Sequence, residues 1–534
     1  MMRATRVWKR AATALFGLVV AFFDASTLSA QTAPAKGVVR PRTAYEDLQM
    51  FGQVLNQIRV NHPDSLDTHA LLIAAITGMV RAADPHSYVI PAVRLEPGKE
   101  AELRAGKLVP VPVEFIFVGG TPVVASVAAG TAARKLDILP GDELVSIDGR
   151  PVAWESSMEL EIGLAGPKAR EVALGLERRR QDGTVAQLTR LVKREQAGEA
   201  TAVPVATMLD SATGYVRITT FMGERVDKDL HDALERLEKL GMTRLLLDLR
   251  DNGGGSVEEA ARVSGEFLPK GAIVYTATGR KTDVIDTGRV SRSFWQSERR
   301  YPIVVMVNAG TASASELVAG ALQDHDRALI VGRATFGKSL MMRGFPLADG
   351  SSIVLVVGHI KTPCGRAVQR DYRTITRRDY YRLAGADRDT AGRPSCKTKA
   401  GRVVYGGGGI YPDARLDAET APPMWVAQIG EQTVALRWVG GWVDAHQSAL
   451  ASLDEFLRTP SLPADAITDF RAYALRQGVT IPAGADVEAR LQRLLLPAVA
   501  NSKWGDAGWY RAEALMDKEI ADAVKLFGKV PSAK

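Results

Sequence analysis

A serine stands where the chain leaves a buried strand for a helix. Pro302 to Val307 is rich in Val and Ile and ends in Asn308-Ala309-Gly310-Thr311, a strand closed by a tight turn; Ser313-Ala314-Ser315-Glu316 ahead of Leu317, Val318, Ala321 and Leu322 reads as a helix start. A hydroxyl on such a turn is lifted clear of the sheet, and the following amides point N–H groups at any negative charge forming beside it. This is nucleophile chemistry for Ser313, with Ser315 as its competitor. Such a serine needs a base. Of the seven histidines, His325 is nearest in sequence, and a continuing helix puts it about 18 Å away at 1.5 Å per residue. Lys338 sits among glycine and apolar residues. It becomes a base if burial or nearby positive potential keeps part of it neutral.

The same lysine also ends a false lead. Gly332 to Ser339 spells GxxxxGK[ST] after an apolar strand, and Leu245 to Asp248 resembles the accompanying acidic strand of a phosphate-loop NTPase. A phosphate loop must open a helix whose N-terminus faces the phosphates. Here Gly344, Pro346, Asp349-Gly350 and a strand from Ile353 to Val357 follow, so the context rejects nucleotide binding. A second glycine-rich stretch, Arg250-Asp251-Asn252-Gly253-Gly254-Gly255, follows the apolar strand Leu245 to Leu249. Three glycines let the backbone approach a bound group with its amides free to donate, and they equally suit a flexible turn.

The elements that must position these residues come from the surrounding patterns. Gly214 to Thr220 reads as a strand, and Val226, Leu230, Ala233, Leu234, Leu237 and Leu240 mark one helix face before Leu245. Strand, helix, strand implies a right-handed crossover and an at least partly parallel sheet. Upstream, Leu48, Phe51, Val54, Leu55 and Ile58, then Leu71, Leu72, Ile76 and Val80, recur at helical spacing and end at Asp84-Pro85-His86-Ser87-Tyr88. His86 in this proline-flanked turn is expected to be a hydrogen-bonded structural residue. Between about Leu103 and Arg194 short strands alternate with turns: Val109 to Val118, Pro122 to Val127, Glu143 to Ile147 and Glu171 to Leu176, with a helix near Ser156 to Leu164. From about Pro422 to Lys534 the pattern is helical again, and Phe456, Phe470, Trp504 and Trp509 are expected in its core.

Length and charge set outer limits. A chain of 534 residues exceeds one core and predicts several domains. The formal charge of +7 falls to +4 once Arg3, Arg6, Lys9 and Arg10 are set against Asp24 and removed, too weak an excess to imply nucleic acid. Those basic residues precede the apolar run Ala11 to Phe23 and the small-residue end Leu28-Ser29-Ala30, the pattern of a secretory signal peptide. The run is shorter than the roughly 20 residues of a spanning helix. No later segment is apolar enough to span, so an exported, most plausibly periplasmic, protein cleaved near Ala30 is expected. Cys364 and Cys396 suit an oxidising compartment and can close the loop between them, worth about 3 to 4 kcal/mol in the chain-entropy model, or remain two free thiols. Residues 364 to 402 hold eleven Lys or Arg against four Asp. A run of this kind can meet acidic substrates or lipid head groups, but its usual explanation is a solvated loop.

Taken together, Leu247 to Gly255, Gly310 to Leu317, Thr335-Phe336-Gly337-Lys338 and Asp84 to Tyr88 resemble the carboxyl-terminal processing (tail-specific) peptidases over roughly Thr43 to Asp413. The resemblance implies an α/β fold: a crotonase-like protease core (195–421, with the basic insertion 364–402) and helical regions at 31–102 and 422–534, after a signal peptide at 1–30. It implies serine endopeptidases with a Ser–Lys dyad, independent of metal or ATP, acting on protein or peptide substrates that are unfolded or expose C-terminal tails. Ser313 then matches the nucleophile, Lys338 the base, and the amides of Gly255 and Ala314 the oxyanion donors. Asp324, about 16 Å along the helix from Ser313, matches an acidic position with an indirect role. The arrangement from Ala129-Gly130 through Leu139-Pro140-Gly141-Asp142 to Asp148-Gly149 looks like a PDZ domain at 103–194. Its carboxylate-binding loop would contain Pro110 and Pro112, which have no N–H to donate. Many relatives carry glutamine four residues after the lysine to orient it; here that residue is Met342, so Lys338 is expected to be held by something else. A ligand-binding or scaffold relative without proteolysis is the alternative reading, and the letters assign no adaptor and no self-association.

Overall fold

The computed structural model describes residues 43–531 apart from 91–101, 103–106, 119–120, 129–130, 153–159, 161–162, 180–183, 196–200, 223–224, 282, 293–297, 387–388, 417–422, 432–433 and 448–449. The expected signal peptide and most of the expected helix at 156–164 lie outside the described residues. The chain divides into Met1–Ala75 and Ile76–Lys534. In the first unit, α1 (Ala44–Asn61) starts from a reciprocal cap, in which the Thr43 hydroxyl accepts the Glu46 N–H and the Glu46 carboxylate accepts the Thr43 N–H. No residue of α1 is buried: of its apolar stripe Leu48, Phe51 and Val54 are exposed and Leu55 and Ile58 half-buried. The dividing point falls within α2 (Thr68–Ala83).

In the second unit, β1 (Tyr88–Ile90) is followed by a segment with its own core. It comprises β2 (Leu108–Val109), β3 (Val113–Val118), β4 (Thr121–Val127), β5 (Glu143–Ile147), β6 (Arg150–Pro151), β7 (Gly166–Pro167), β8 (Glu171–Arg179) and β9 (Val185–Lys193). Six of these strands form one antiparallel sheet in the order β3-β4-β5-β8-β9, with β6 on β5. The strand expected from Val109 to Val118 is broken into β2 and β3 at Pro110-Val111-Pro112, where the missing N–H groups interrupt a ladder.

The region that carries Ser313 is built on a six-stranded sheet, β10 (Val205–Met208), β11 (Thr213–Arg217), β12 (Arg244–Asp248), β15 (Ile303–Val307), β16 (Leu329–Gly332) and β21 (Ala414–Arg415), in that order. All pairs are parallel except β10 with β11. The crossovers carry α3 (Val226–Lys239), α4 (Val257–Ser264) and α5 (Ala314–Asp324). β12 and β15 read as continuous apolar runs because both faces are covered. Leu245, Leu247, Leu249, Ile303, Val305 and Val307 share a core with the three helices, while Leu246, Val304 and Met306 pack with Ile520, Ala523 and Phe527. A second sheet contains β13 (Ile273–Thr278), β14 (Val284–Arg289), β17 (Leu340–Pro346) and β18 (Ser352–Lys361), with β1 on β18. The basic segment supplies α6 (Arg377–Arg382) and the hairpin β19 (Ser395–Lys397) with β20 (Val403–Tyr405).

The C-terminal region is α7 (Met424–Glu431), α8 (Val434–Ala445), α9 (Leu453–Phe456), α10 (Ala464–Arg476), α11 (Ala485–Trp504), α12 (Asp506–Met516) and α13 (Lys518–Val524). Trp438, Phe470, Leu491 and Leu495 centre its core, with Phe456 and Trp504 packed at the margin, whereas Leu475 is exposed. α8 meets the β5 turn closely: a Cβ on Gly440 would lie 2.8 Å from the Pro140 carbonyl oxygen, and Arg437 pairs with Glu143 at 2.9 Å. Arg250 joins sheet to helices through Asp517 (2.6 Å) and Glu519 (2.8 Å). Burial pushes the Asp248 carboxyl up, but Arg250 and Arg217 beside it more than offset this and hold it below the usual range.

Phe470 is fully buried edge-on to Trp438 with ring centroids 5.2 Å apart. Phe470→Ala is expected to cost about 3–5 kcal/mol in urea unfolding followed by tryptophan fluorescence. A cost below about 1 kcal/mol would show that these helices lack a packed core.

Candidate functional site

The site begins where two adjacent parallel strands end. The loop after β15 is stitched to the loop after β12: Asn308 Oδ1 accepts the N–H groups of Asp251 (3.0 Å) and Gly310 (2.9 Å), and its Nδ2 donates to Asp251 Oδ1 (2.9 Å). Thr311 Oγ1 donates to the Leu249 carbonyl (2.8 Å), and Ala312 N–H to that of Asn252 (2.9 Å). At the end of this turn Ser313 takes φ 57°, ψ −119° immediately before α5. A non-glycine residue in the left-handed half of backbone space costs on the order of 1–3 kcal/mol and persists only where its surroundings fix it. Ser315 is fully buried and its hydroxyl donates to the Asn252 carbonyl at 2.9 Å, whereas Ser313 is half-buried.

The glycine loop reaches the serine itself. A Cβ on Gly254 would fall 2.7 Å from Ser313 Cβ and 2.8 Å from the Ala314 nitrogen, so only glycine allows this approach. Among the described residues, neither the Gly255 nor the Ala314 N–H donates to a protein acceptor. Ala314 is the first residue of α5, whose opening N–H groups have no partner within the helix.

Glu316 joins serine and lysine. It is fully buried; its Oε2 accepts the N–H groups of Ser313 (2.9 Å) and Lys338 (2.8 Å), and its Oε1 accepts the Gly337 N–H (2.8 Å) and the Thr335 hydroxyl. The two amide nitrogens on Oε2 are therefore no farther apart than the sum of those two lengths. Phe336 N–H adds a bond to the Thr311 carbonyl at 2.9 Å. Burial pushes the Glu316 carboxyl up and outweighs its four donors, which favour the charged form, so the net direction is upward. Burial likewise lowers Lys338, with Glu316 and Asp84 opposing, and the net direction is downward, as a neutral amine base requires. Among the described residues no hydrogen bond joins Ser313 Oγ to Lys338 Nζ in this conformation; such contacts often tighten only with substrate.

His86 lies on the lysine side of the site. It is 7% exposed, its Nε2 is 3.0 Å from the Tyr380 hydroxyl, and its turn is tied by Asp84 Oδ1 to the N–H groups of His86 and Ser87, each at 2.7 Å. Burial lowers its pKa to about 4, helped by repulsion from Lys338, Arg370 and Arg377 against attraction from Asp84. It is neutral at physiological pH and bonded as a structural residue.

The remaining expected residues sit apart from the chemistry. Asp324, buried at the far end of α5, pairs with Arg366 and accepts the Cys364 N–H at 2.9 Å, so it anchors the basic segment. Cys364 and Cys396 are joined as a disulfide with Cα atoms 6.4 Å apart. His325 Nε2 is 2.8 Å from the Ile273 carbonyl oxygen. The phosphate-loop lookalike runs from β16 into β17 with no helix. Met342 is half-buried at a bulge in β17. The basic segment is only partly a solvated run: Arg377, Arg378 and Arg382 are exposed, but Arg366 and Arg370 are buried. No group of His, Cys, Asp or Glu suited to a metal occurs among the described residues. Sequence reading saw Glu316 only as part of a helix-start pattern, and it missed Gln369 and Tyr380, which nothing distinguishes within the charged run.

Residues 212–376 match the model of peptidase family S41. Over 333 residues the chain is 30% identical to a carboxy-terminal-processing protease of Bartonella bacilliformis, covering 61% of this chain and 74% of that protein. It is 33% identical over 338 residues to the chloroplastic carboxyl-terminal-processing peptidase 2 of Arabidopsis thaliana, covering 60% of this chain and 63% of that one. A solved photosystem II D1 C-terminal processing protease is similar at 25% identity and a TM-score of 0.36, covering 75% of this chain and 91% of that one.

Replacing Glu316 by Gln keeps the shape but removes the charge and turns an NH2 toward donors. Hydrolysis of an unfolded protein by Glu316→Gln is expected to fall at least about tenfold, with stability lower by about 1–3 kcal/mol. Unchanged rate and unfolding midpoint would remove this carboxylate from the account of the site.

Proposed function

The chain belongs to the carboxyl-terminal processing proteases of peptidase family S41, serine-type peptidases, and we propose that it is an exported endopeptidase that cleaves protein substrates near their C-termini through an acyl-enzyme on Ser313. Lys338 is the general base, and the amides of Gly255 and Ala314 form the oxyanion hole. The observation that carries this reading is the single Glu316 oxygen holding the backbones of both Ser313 and Lys338.

In this mechanism the neutral Lys338 amine takes the proton from Ser313 Oγ as that oxygen attacks the scissile carbonyl carbon. The oxyanion of the tetrahedral intermediate receives the two N–H groups, each worth about 3 kcal/mol in well-studied hydrolases. Lys338 then gives its proton to the departing amine, the C–N bond breaks and an ester remains on Ser313. Water, deprotonated by the same amine, attacks that ester, and the proton returns to Ser313 Oγ as the acid is released.

The remaining assignments belong to the same proposal. The signal-like residues 1–30 imply export, most plausibly to a periplasm; among the described residues no helix is long and apolar enough to cross a membrane. Residues 103–194 are a PDZ-like domain and 195–421 a crotonase-like core, between helical regions at 31–102 and 422–534. Among the described residues of the PDZ-like domain β3 is an edge strand of its sheet, the kind of position at which an extended peptide pairs. Pro110 and Pro112 withhold the amides that would bind a terminal carboxylate, and the contacts of its Pro140-Gly141 turn with α8 favour a packing or regulatory role.

Wild type is expected to digest an unfolded tailed protein and to be labelled at Ser313 by an active-site acylating probe, while Ser313→Ala does neither. Alanine-variant hydrolysis at the parental rate overturns the nucleophile; an inert, unlabelled wild type supports the ligand-binding alternative. Lys338→Met should reduce acylation about 10²–10⁴-fold. The rising limb of kcat with pH should lie below an ordinary lysine's value of about 10.4. Because the folded-state pKa is below the unfolded one, the unfolded chain binds more protons between the two values and stability rises with pH there; below both, the charged amine is buried at full cost. Lys338→Met, similar in shape and uncharged, should therefore unfold at no lower temperature than wild type at pH 7, checked by calorimetry.

A further inference from the structure

The position four residues after Lys338 is Met342, whose thioether is a poor hydrogen-bond acceptor and cannot orient an amine. The backbone on either side of Lys338 is held instead by the basic segment. Gln369 Oε1 accepts the Ser339 N–H at 3.0 Å, and the Arg370 N–H donates to the Gly337 carbonyl at 2.9 Å. Gln369 Nε2 donates to the Tyr380 hydroxyl (3.1 Å), which itself reaches the Gly337 carbonyl (3.4 Å) and His86 Nε2 (3.0 Å). Tyr380 is fully buried; the Arg370 guanidinium lies 4.1 Å from its ring centroid and 4.8 Å from that of Phe336. Tyr381 donates to the Pro85 carbonyl at 2.8 Å, so α6 also grips the His86 turn. Glu316 holds the Gly337 and Lys338 amides from the opposite side. The main chain of the lysine is thus clamped between α5 and the basic segment, which is itself fixed by its disulfide and by the Asp324–Arg366 pair.

We propose that Gln369 and Tyr380 are positioning residues of this peptidase, holding the Gly337–Ser339 backbone so that Lys338 is delivered to Ser313 in place of the missing glutamine. This rests on the Ser313 and Lys338 roles proposed above. The basic segment is then a structural part of the active site. Its outer cations are free to be solvated while its inner face does the positioning.

The groups that act on Lys338 are Glu316 from α5 and Asp84 and His86 from the turn after α2, while Tyr380, Arg370 and Arg377 from the basic segment surround His86. His86 titrates near 4 and burial raises the Tyr380 phenol, so the neutral-to-alkaline limb of kcat reports the lysine. The test compares Tyr380→Phe, Gln369→Ala, their double variant and Ser313→Ala on a fluorogenic peptide, with active sites counted by the acylating probe and folding followed by thermal unfolding. Each single variant is expected to lose about ten- to a hundredfold in kcat per active site, with KM within about twofold. The limb should move toward higher pH as the lysine becomes better solvated, and the double variant should lose less than the product of the singles because both act on one backbone segment. Unchanged kcat and limb beside an inert Ser313→Ala overturns the positioning role alone. So does a loss accounted for wholly by fewer active sites with the limb unmoved. Retained hydrolysis by Ser313→Ala instead overturns the underlying assignment, and this inference with it.

Discussion

One buried carboxylate governs the geometry of this site. Glu316 is out of water, a position that is costly for a charged group unless hydrogen bonds replace the lost hydration. It receives four, and three come from the backbone of the two segments whose relation matters most. Because backbone amides cannot be supplied by any other part of those residues, the arrangement fixes where the serine turn and the lysine loop stand rather than merely drawing two side chains together. Every residue of α5 is buried, so the helix that carries Glu316 cannot shift without disturbing the core on which the sheet rests.

The sheet makes such a demanding centre affordable. Strands β12 and β15 are apolar on both faces, and their shared carboxyl-terminal edge is where the glycine loop and the serine turn leave the core. Parallel α/β sheets gather ligands and chemistry at this edge because the loops there come from adjacent strands and meet. The strained backbone at Ser313 and the desolvated amine at Lys338 both act against stability, and large two-sided burial offsets them. The C-terminal helices contribute by covering the second face and by giving Arg250 two further carboxylates, Asp517 and Glu519, beside the Asp248 that it shares with Arg217.

Charge in the primary structure has two different meanings in segment 364–402. Arg377, Arg378 and Arg382 are exposed, as a run of cations normally is, while Arg366 is sealed against Asp324 and Arg370 is stacked on Phe336 and Tyr380. Guanidinium groups tolerate this because they are planar and weakly hydrated, able to pair with a carboxylate or lie on a ring. The segment thereby packs against the lysine while still presenting a cationic outer surface.

Much of the frame was readable from local pattern. Continuous apolar runs and period-3.6 spacing placed β12, β15 and α3 almost to their ends and the start of α5, since such elements depend on neighbouring residues, and the relation to the tail-specific peptidases was carried by short contiguous motifs. Ends set by pairing were less legible: β11 stops at Arg217, three residues before the expected Thr220, and the strand expected from Val109 yields at two prolines. The sequence by itself determined which hydroxyl and which amine were chemically eligible, and that His325 was too far along its helix to serve. Only the tertiary structure decided that Glu316 holds the backbones of both, that Ser315 is occupied, and that Gln369 and Tyr380 bond the Gly337–Ser339 backbone. Apart from the Ser313–Glu316 and Gln369–Tyr380 bonds, made 3 and 11 positions apart, those relations are hydrogen bonds between segments 19 to 294 positions apart, and no local periodicity records a contact made by packing.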